Sequence, residues 1–220
     1  MNVAIDGPAG AGKSTIAKSI ASEMGYIYVD TGALYRGIAY HMTGLGLKAG
    51  DETVIAGKVK PVSADIRYVD GTQHVFINDE DVTAYLRTEE TGNMASVVAR
   101  IPEVREALLG IQRKMAAQND VVMDGRDIGT CVLPDAEVKI YLTASADVRA
   151  KRRYDELTDK GETADIDVIR QDIIDRDERD MSREIAPLKK ADDAIEIDSS
   201  YLSIEEVKAR IIGIIKDQLR

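Results

Sequence analysis

The chain has 220 residues, of which 44% are hydrophobic and 31% charged, and its formal net charge is −10. Such an acidic chain repels nucleic acid, and no long basic run offsets that charge, so we set nucleic-acid binding aside. One cysteine allows no internal disulfide, and no apolar stretch approaches the length of a membrane span, so we expect a cytoplasmic protein.

The first predicted strand, Val3 to Ile5, leads into a glycine-rich turn and then an amphipathic helix over 13–24. The turn matches the pattern G-x-x-x-x-G-K-[ST] of a phosphate-binding loop. Its glycines let successive N–H groups turn inward, and the helix start adds free N–H groups and a positive dipole end. Lys13 supplies a positive charge for the outer phosphates, and Ser14 supplies a hydroxyl for Mg²⁺. The alternative is a purely structural glycine turn.

Further apolar runs alternate with helical patterns along the rest of the chain. The predicted strands are Tyr26–Val29, Val121–Met123, Val138–Leu142 and Ala194–Ile197. The predicted helices cover 31–43, 86–99, 102–118, 146–160, 165–183 and 203–219. This alternation predicts an α/β fold with a parallel sheet of about five strands and helices on both faces. Ligands bind at the carboxyl ends of such strands, where Asp6, Asp30 and Asp124 fall.

The segment 60–85 interrupts this alternation. Asp70-Gly71 lies between two alternating runs, which is a strong signal for a β-hairpin. Asn78-Asp79 indicates a second turn before a third short strand. We therefore expect a small antiparallel insert over 60–85 within a core of 1–59 and 86–220. The alternative is an extended surface loop.

Two turns after predicted strands carry paired charges. After the second strand, we expect Thr31 to cap the next helix while Arg36 reaches back from its second turn. After the third, Asp124 stands where phosphate-loop proteins place a carboxylate that helps to hold Mg²⁺, usually through water. Arg126 offers a planar fork for a phosphate group. The alternatives are a cap with a solvent-facing arginine, and an aspartate-rich turn held by its own hydrogen bonds.

Two basic clusters lie in the predicted helices of the last third of the chain. Arg176, Arg179, Asp180 and Arg183 share one helix face, which suits either a clamp for a polyanion or a solvated face with salt bridges. Lys151-Arg152-Arg153 precedes the polar stretch 154–164. That stretch is either a short mobile lid or the end of an ordinary basic helix.

Together these motifs resemble the bacterial-type cytidylate kinases, in the nucleoside monophosphate kinase group of P-loop proteins. The resemblance rests on Ile5–Thr15, Asp30–Arg36, Val104–Leu109, Asp124–Thr130, Arg176–Asp180 and Arg183–Leu188. Their order and spacing fit over nearly the whole chain. The resemblance implies a sheet core, a β-rich insert in the monophosphate-binding region over 60–85, and a short lid over 154–164. It implies transfer of a phosphoryl group from ATP to CMP or dCMP with Mg²⁺, in pyrimidine nucleotide metabolism.

The resemblance also implies roles for individual residues. It gives ATP binding to Gly7, Pro8, Ala9, Gly10, Ala11, Gly12, Lys13, Ser14 and Thr15. It gives the acceptor phosphate to Arg36 and Arg126, the cytosine to Ser96, Arg105 and Asp127, and the pentose to Thr31, Arg176 and Asp180. It gives the transferring phosphoryl group to Lys13, Arg183, Arg152 and Arg153, and Mg²⁺ to Ser14 directly and to Asp124 through water. Many relatives carry Ser at position 31, so the added methyl can alter contacts there. A monomer without an obligate protein partner is expected.

Two other classes share the phosphate loop. Shikimate- or gluconate-type kinases would have the loop and sheet but not this combination of arginine turns and β insert. A nucleotide-dependent switch of the GTPase type would carry an Asn-Lys-x-Asp motif, which we do not find in the sequence. A switch would also turn over nucleotide slowly and without stimulation by a monophosphate.

Overall fold

The computed structural model describes residues 1–219. The strands are β1 (Asn2–Asp6), β2 (Ile27–Asp30), β3 (Ala64–Val69), β4 (Thr72–Ile77), β5 (Glu80–Asp81), β6 (Val121–Gly125), β7 (Val138–Thr143) and β8 (Ile195–Asp198). The helices are α1 (Lys13–Met24), α2 (Thr31–Gly44), α3 (Glu52–Lys58), α4 (Glu89–Val98), α5 (Pro102–Gln118), α6 (Ala146–Asp159), α7 (Ile166–Met181) and α8 (Ile204–Gln218). The chain forms two compact units: a core unit of Met1–Ile27 with Asp120 onward, and a second unit of Tyr28–Asn119.

The parallel sheet has the strand order β2-β6-β1-β7-β8, and its strands β6, β1, β7 and β8 lie in the core unit. The central strand β1 pairs with both β6 and β7, with Val3 opposite Val122 and Val138. These strands read as continuous apolar runs because a central parallel strand is buried on both faces. Their shared direction brings the carboxyl ends of β1, β6 and β7 to one edge.

Helices of the core unit pack against this sheet and against each other. α1 contacts β6 and α8, α8 contacts β7, and α6 packs on α7. α8 begins with a capping box, in which Ser203 accepts the N–H of Glu206 and the Glu206 carboxylate accepts the N–H of Ser203. This exchange satisfies helix N–H groups that have no partner within the helix.

The second unit combines α2 to α5 with a three-stranded antiparallel sheet in the order β3-β4-β5. Both hairpin loops have two residues in the left-handed region: Asp70 and Gly71 at φ 49° and 73°, and Asn78 and Asp79 at φ 50° and 65°. Positive φ at both central positions is the signature of a type I′ turn, whose twist matches that of the strands. The predicted antiparallel sheet and both turns are therefore confirmed.

The α/β fold is confirmed, and the predicted strands and helices lie within a few residues of the observed ones. Three elements were not predicted: α3, a 3-10 turn at Thr83–Tyr85, and a π-helical turn at Ile128–Val132. The compact second unit contains the predicted insert 60–85 and is larger than it. In the predicted lid 154–164, α6 continues to Asp159, and closure of that segment stays a prediction. Within residues 1–219, no helix is both long and apolar enough to span a membrane.

Candidate functional site

The phosphate loop joins β1 to α1 as predicted. Gly7 follows β1 with φ 149°, and a Cβ placed there would lie 1.9 Å from the carbonyl oxygen of Leu142. Glycine is therefore required at this position by both conformation and space. The chain then enters α1 at Lys13, so that the first N–H groups of this helix follow directly on the loop.

Lys13 lies inside the loop and is only 5% exposed. Its ammonium donates to the carbonyl oxygen of Pro8 at 2.7 Å. Burial and then the charge of Arg126 lower the pKa of Lys13 to about 7, although Asp124, Asp6 and Asp180 oppose this effect. Lys13 and Arg126 are thus close enough for each to feel the other's positive charge, as expected of a site that receives a polyanion.

Ser14 and Asp124 meet at the carboxyl edge of the sheet. The Ser14 hydroxyl donates to Oδ2 of Asp124 at 2.9 Å, across 110 positions of sequence. Asp124 is buried at the end of β6, while Ser14 is exposed in the first turn of α1. A hydroxyl and a carboxylate are hard oxygen ligands of the kind that Mg²⁺ takes, so this pair fits the predicted cation.

Arg126 and Asp127 directly follow β6. The Nε of Arg126 donates to Asp180 at 2.9 Å, and its Nη1 donates to the Gly125 carbonyl oxygen at 3.2 Å. These bonds hold the guanidinium at the carboxyl edge of β6. Asp127 is buried and precedes the π-helical turn, in which its carbonyl oxygen accepts the N–H groups of Cys131 and Val132.

Asp180 organises the arginines at the end of α7. It is 1% exposed and also accepts a hydrogen bond from Arg183. Burial would raise the pKa of Asp180, but the charges of Arg126, Arg183 and Arg176 together hold it below its usual value. Within the predicted stripe, Asp180 and Arg183 therefore form an ion pair that Arg126 joins, whereas Arg179 is exposed.

Arg149 is a central residue of the core unit that the sequence did not single out. It is 5% exposed and donates from Nε to the Ala144 carbonyl oxygen and from Nη1 to that of Ala9, both at 2.9 Å. Its Nη1 and Nη2 also donate to the two oxygens of Asp177 at 3.2 and 2.5 Å. Arg149 thus ties the phosphate loop to α7. Because Ala9 and Asp177 are remote in sequence, no local motif identified it.

The two arginines of α6 that are predicted near the transferring phosphoryl group have different surroundings. Arg152 donates to the carbonyl oxygen of Ser199 at 2.7 Å, and the Ser199 hydroxyl donates to the Ala11 carbonyl oxygen at 3.4 Å. Arg152 is therefore linked to the phosphate loop through Ser199. Arg153 is exposed and pairs with Glu156 at 2.9 Å on the surface of α6.

In the second unit, Asp30 and not Thr31 caps α2. The Asp30 carboxylate accepts the N–H of Ala33 at 2.9 Å and also a bond from Arg36 Nη2 at 2.8 Å. The prediction that Thr31 caps this helix was wrong by one residue, because an aspartate immediately before it can reach the same N–H groups. Thr31 is instead a buried residue of the first turn. The prediction that Arg36 reaches back is confirmed.

The Arg36 guanidinium is held in place on one side and has a further N–H group that can still donate a hydrogen bond. Its Nη2 is fixed by Asp30, whereas its buried Nε has no hydrogen-bond partner within residues 1–219. Gln73 fixes Asp30 in turn, because it bonds both the N–H and the carbonyl oxygen of that residue at 2.8 and 3.1 Å. A buried guanidinium N–H of this kind suits an anionic acceptor.

Ser96 and Arg105 lie on consecutive helices of the second unit. Ser96 is half-buried on α4. The Arg105 guanidinium on α5 lies 5.7 Å from the ring centre of Tyr35, and its Nη1 contacts the Ala99 carbonyl oxygen at 3.4 Å. This cation–π contact and the bond to Ala99 limit where the guanidinium can lie.

Comparison with known proteins finds relatives over the whole chain. The sequence model of the family described as cytidylate kinase matches residues 3–217. A cytidylate kinase from Geobacillus sp. (strain WCH70) is 48% identical over 219 residues, which span 100% of this chain and 98% of that protein. One from Lactobacillus johnsonii is 50% identical over 216 residues, which span 98% of this chain and 94% of that protein.

Among solved structures, an uncharacterized protein from Eubacterium ventriosum has a TM-score of 0.54 at 15% identity, covering 98% of each chain. At that identity the likeness concerns the fold alone. The sequence matches extend from end to end at nearly half identity. They show that the chain belongs to the cytidylate kinase family.

Proposed function

We propose that the protein transfers the γ-phosphoryl group of ATP to CMP or dCMP and so forms CDP or dCDP. The observation that carries this proposal is the family match over residues 3–217, because the phosphate loop alone is common to many kinases. The site geometry adds independent support. Lys13 of the phosphate loop lies near Arg126, which shares the buried carboxylate of Asp180 with Arg183.

ATP binding is assigned to the loop Gly7–Thr15. Its backbone N–H groups and Lys13 would hold the β- and γ-phosphates, which would raise the lowered pKa of Lys13 by supplying negative charge. Ser14 would bind Mg²⁺ directly, and Asp124 would orient Ser14 and act on the ion through water. When bound, Mg²⁺ neutralises charge that develops on the phosphates during transfer.

Acceptor binding is assigned to the residues that the family resemblance implies. Arg36 and Arg126 would hold the CMP phosphate through N–H groups beyond those used by Asp30, Asp180 and Gly125. Ser96, Arg105 and Asp127 would read the cytosine. Thr31, Arg176 and Asp180 would contact the pentose.

The Asp127 carboxylate would discriminate between cytosine and uracil. Cytosine presents an N4 amine that donates to a carboxylate, whereas uracil presents O4, which would face the carboxylate without a hydrogen between them. A buried polar group left unpaired costs about 1–3 kcal/mol, so UMP should be disfavoured by roughly tenfold to a hundredfold.

The transfer is direct and in line. The ionised CMP phosphate is itself the nucleophile, so the reaction requires neither a protein nucleophile nor a general base. Lys13 and Arg183, with Arg152 and Arg153 from α6, would neutralise charge on the transferring group. Arg152 is already linked to the loop through Ser199, whereas Arg153 would have to leave Glu156 as the segment 154–164 closes.

The protein should act as a monomer in the cytoplasm, with no obligate protein partner. Its substrates are small molecules. Gel filtration with light scattering would test this: we expect a mass near 24.1 kDa, and twice that mass would contradict it.

The experiment is a coupled ADP-release assay with ATP, Mg²⁺ and each common nucleoside monophosphate, together with shikimate and gluconate. CMP and dCMP should stimulate ADP release most strongly. Lys13→Ala should abolish the stimulation, whereas Lys18→Ala, which removes an exposed lysine from the same helix, should retain it. Stimulation by shikimate or gluconate alone, or equal slow turnover with every acceptor, would refute the proposal.

A further inference from the structure

Asp6 is a buried carboxylate to which the proposed reaction gives no role. It is the last residue of β1 and precedes the phosphate loop directly, and it is 5% exposed. Its Oδ1 accepts the N–H of Ile128 at 2.8 Å, and its Oδ2 accepts the N–H of Gly129 at 2.7 Å. Each oxygen thus accepts one of two adjacent backbone N–H groups, which are more than 120 residues away in sequence.

Those two amides open the π-helical turn that follows Asp127. The first N–H groups of any helical turn need acceptors from outside the turn. Asp127 occupies the capping position, but its side chain accepts no bond from the turn. Asp6 supplies the acceptors instead, so the Asp127 carboxylate does not serve as the cap.

The fit between Asp6 and the turn is tight. A Cβ at Gly129 would lie 3.4 Å from Asp6 Oδ2 and 3.2 Å from Lys139 Cδ. Burial raises the pKa of Asp6 to about 6, against the two amide bonds, which lower it. The nearby charge of Asp127 raises it further, and that of Lys13 lowers it. Burial and the neighbouring Asp127 carboxylate therefore both disfavour the ionised form of Asp6.

We infer that Asp6 is a positioning residue for acceptor choice: by clamping the Ile128 and Gly129 amides it fixes the Asp127 carboxylate against the base, without contacting substrate itself. The inference rests on the proposed role of Asp127 in reading cytosine. Because Asp6 adjoins Gly7, the same side chain connects the ATP loop to the turn that selects the acceptor.

The test is the ratio of kcat/KM for CMP to kcat/KM for UMP in Asp6→Asn. The Asn side chain can accept from one amide only and presents an NH₂ group to the other, so the turn loses one of its two bonds. We expect the ratio to fall by about fivefold to tenfold, the effect of roughly one hydrogen bond. Val3→Ala removes buried volume from the same strand and should lower thermal stability while leaving the ratio unchanged.

Two further variants keep the inference open to refutation. If Asp6→Asn does not fold, Gly129→Ala perturbs the same clamp from the other side and should lower the ratio. In an Asp127→Ala background, Asp6→Asn should change the ratio no further, because Asp6 acts through Asp127. An unchanged ratio in the single variant that folds, or an additive loss in the double variant, would overturn the inference. A wild-type protein that does not phosphorylate CMP would instead refute the proposed function.

Discussion

Replacing Arg149 by lysine tests the network that supports the phosphate loop. The arginine uses three nitrogens to contact Ala144, Ala9 and both oxygens of Asp177. A lysine keeps the charge but concentrates its donors on one nitrogen, so it cannot reach all of these acceptors at once. We expect two of the four hydrogen bonds to be lost, which leaves their buried acceptor oxygens without this donor.

Each lost bond to a charged or buried partner costs about 1.5 kcal/mol, so the variant should be less stable by about 3 kcal/mol. For a chain of 220 residues this corresponds to a fall in Tm of about 6–12 °C. The Ala9 carbonyl also loses its clamp. Part of the free energy of ATP binding is then used to order the loop. The KM for ATP should therefore rise by about threefold to tenfold.

Thermal unfolding followed by fluorescence or calorimetry gives Tm, and initial rates at saturating CMP give KM for ATP. Arg170→Lys is a matched control on α7, because Arg170 is 45% exposed and pairs with the surface carboxylates of Asp147 and Asp167. Its stability should stay within about 0.5 kcal/mol of wild type. A Tm within about 2 °C of wild type for Arg149→Lys, with an unchanged KM, would refute the network's role.

Three other outcomes follow from the structure. Asp127→Ala should lose CMP turnover and narrow the CMP/UMP gap, and an unchanged ratio would remove Asp127 from base recognition. Gly7→Ala should fail to give folded, ATP-binding protein, because its Cβ would clash with the Leu142 carbonyl oxygen at 1.9 Å; near wild-type Tm and KM would contradict this. Because the folded pKa of Asp6 lies near 6, above its unfolded value of 3.8, its contribution to stability is present below pH 3.8 and is lost as pH rises to about 6. Wild type should therefore lose about 2–3 kcal/mol relative to Asp6→Asn between pH 4 and 7, as measured by urea unfolding, and a constant difference would contradict the assignment.

Local chemistry made much of the fold predictable. The apolar runs of β1, β6 and β7 read directly as buried parallel strands, and Asp70-Gly71 specified its hairpin because few other pairs adopt positive φ twice. The phosphate loop was equally predictable from its glycine pattern, and the structure leaves no room for a Cβ at Gly7. The resemblance to a family added predicted roles for residues that no local pattern identifies.

The remaining features depend on contacts between distant parts of the chain. Arg149 resembles any basic helix residue until Ala9 and Asp177 are brought to it by the fold. Asp6 looks like a strand end, and its function as a remote cap requires the π-helical turn, which sequence periodicity does not reveal. The cap of α2 was misplaced because Asp30 and Thr31 are both good capping residues at adjacent positions.

The most direct test of the central claim follows the γ-phosphate of labelled ATP in the presence and absence of CMP. Direct transfer predicts label in the β-phosphate of newly formed CDP, at a rate that depends on CMP, and no label on the protein at any time. Label trapped on the protein with ATP alone, or released only as inorganic phosphate whether or not CMP is present, would contradict it.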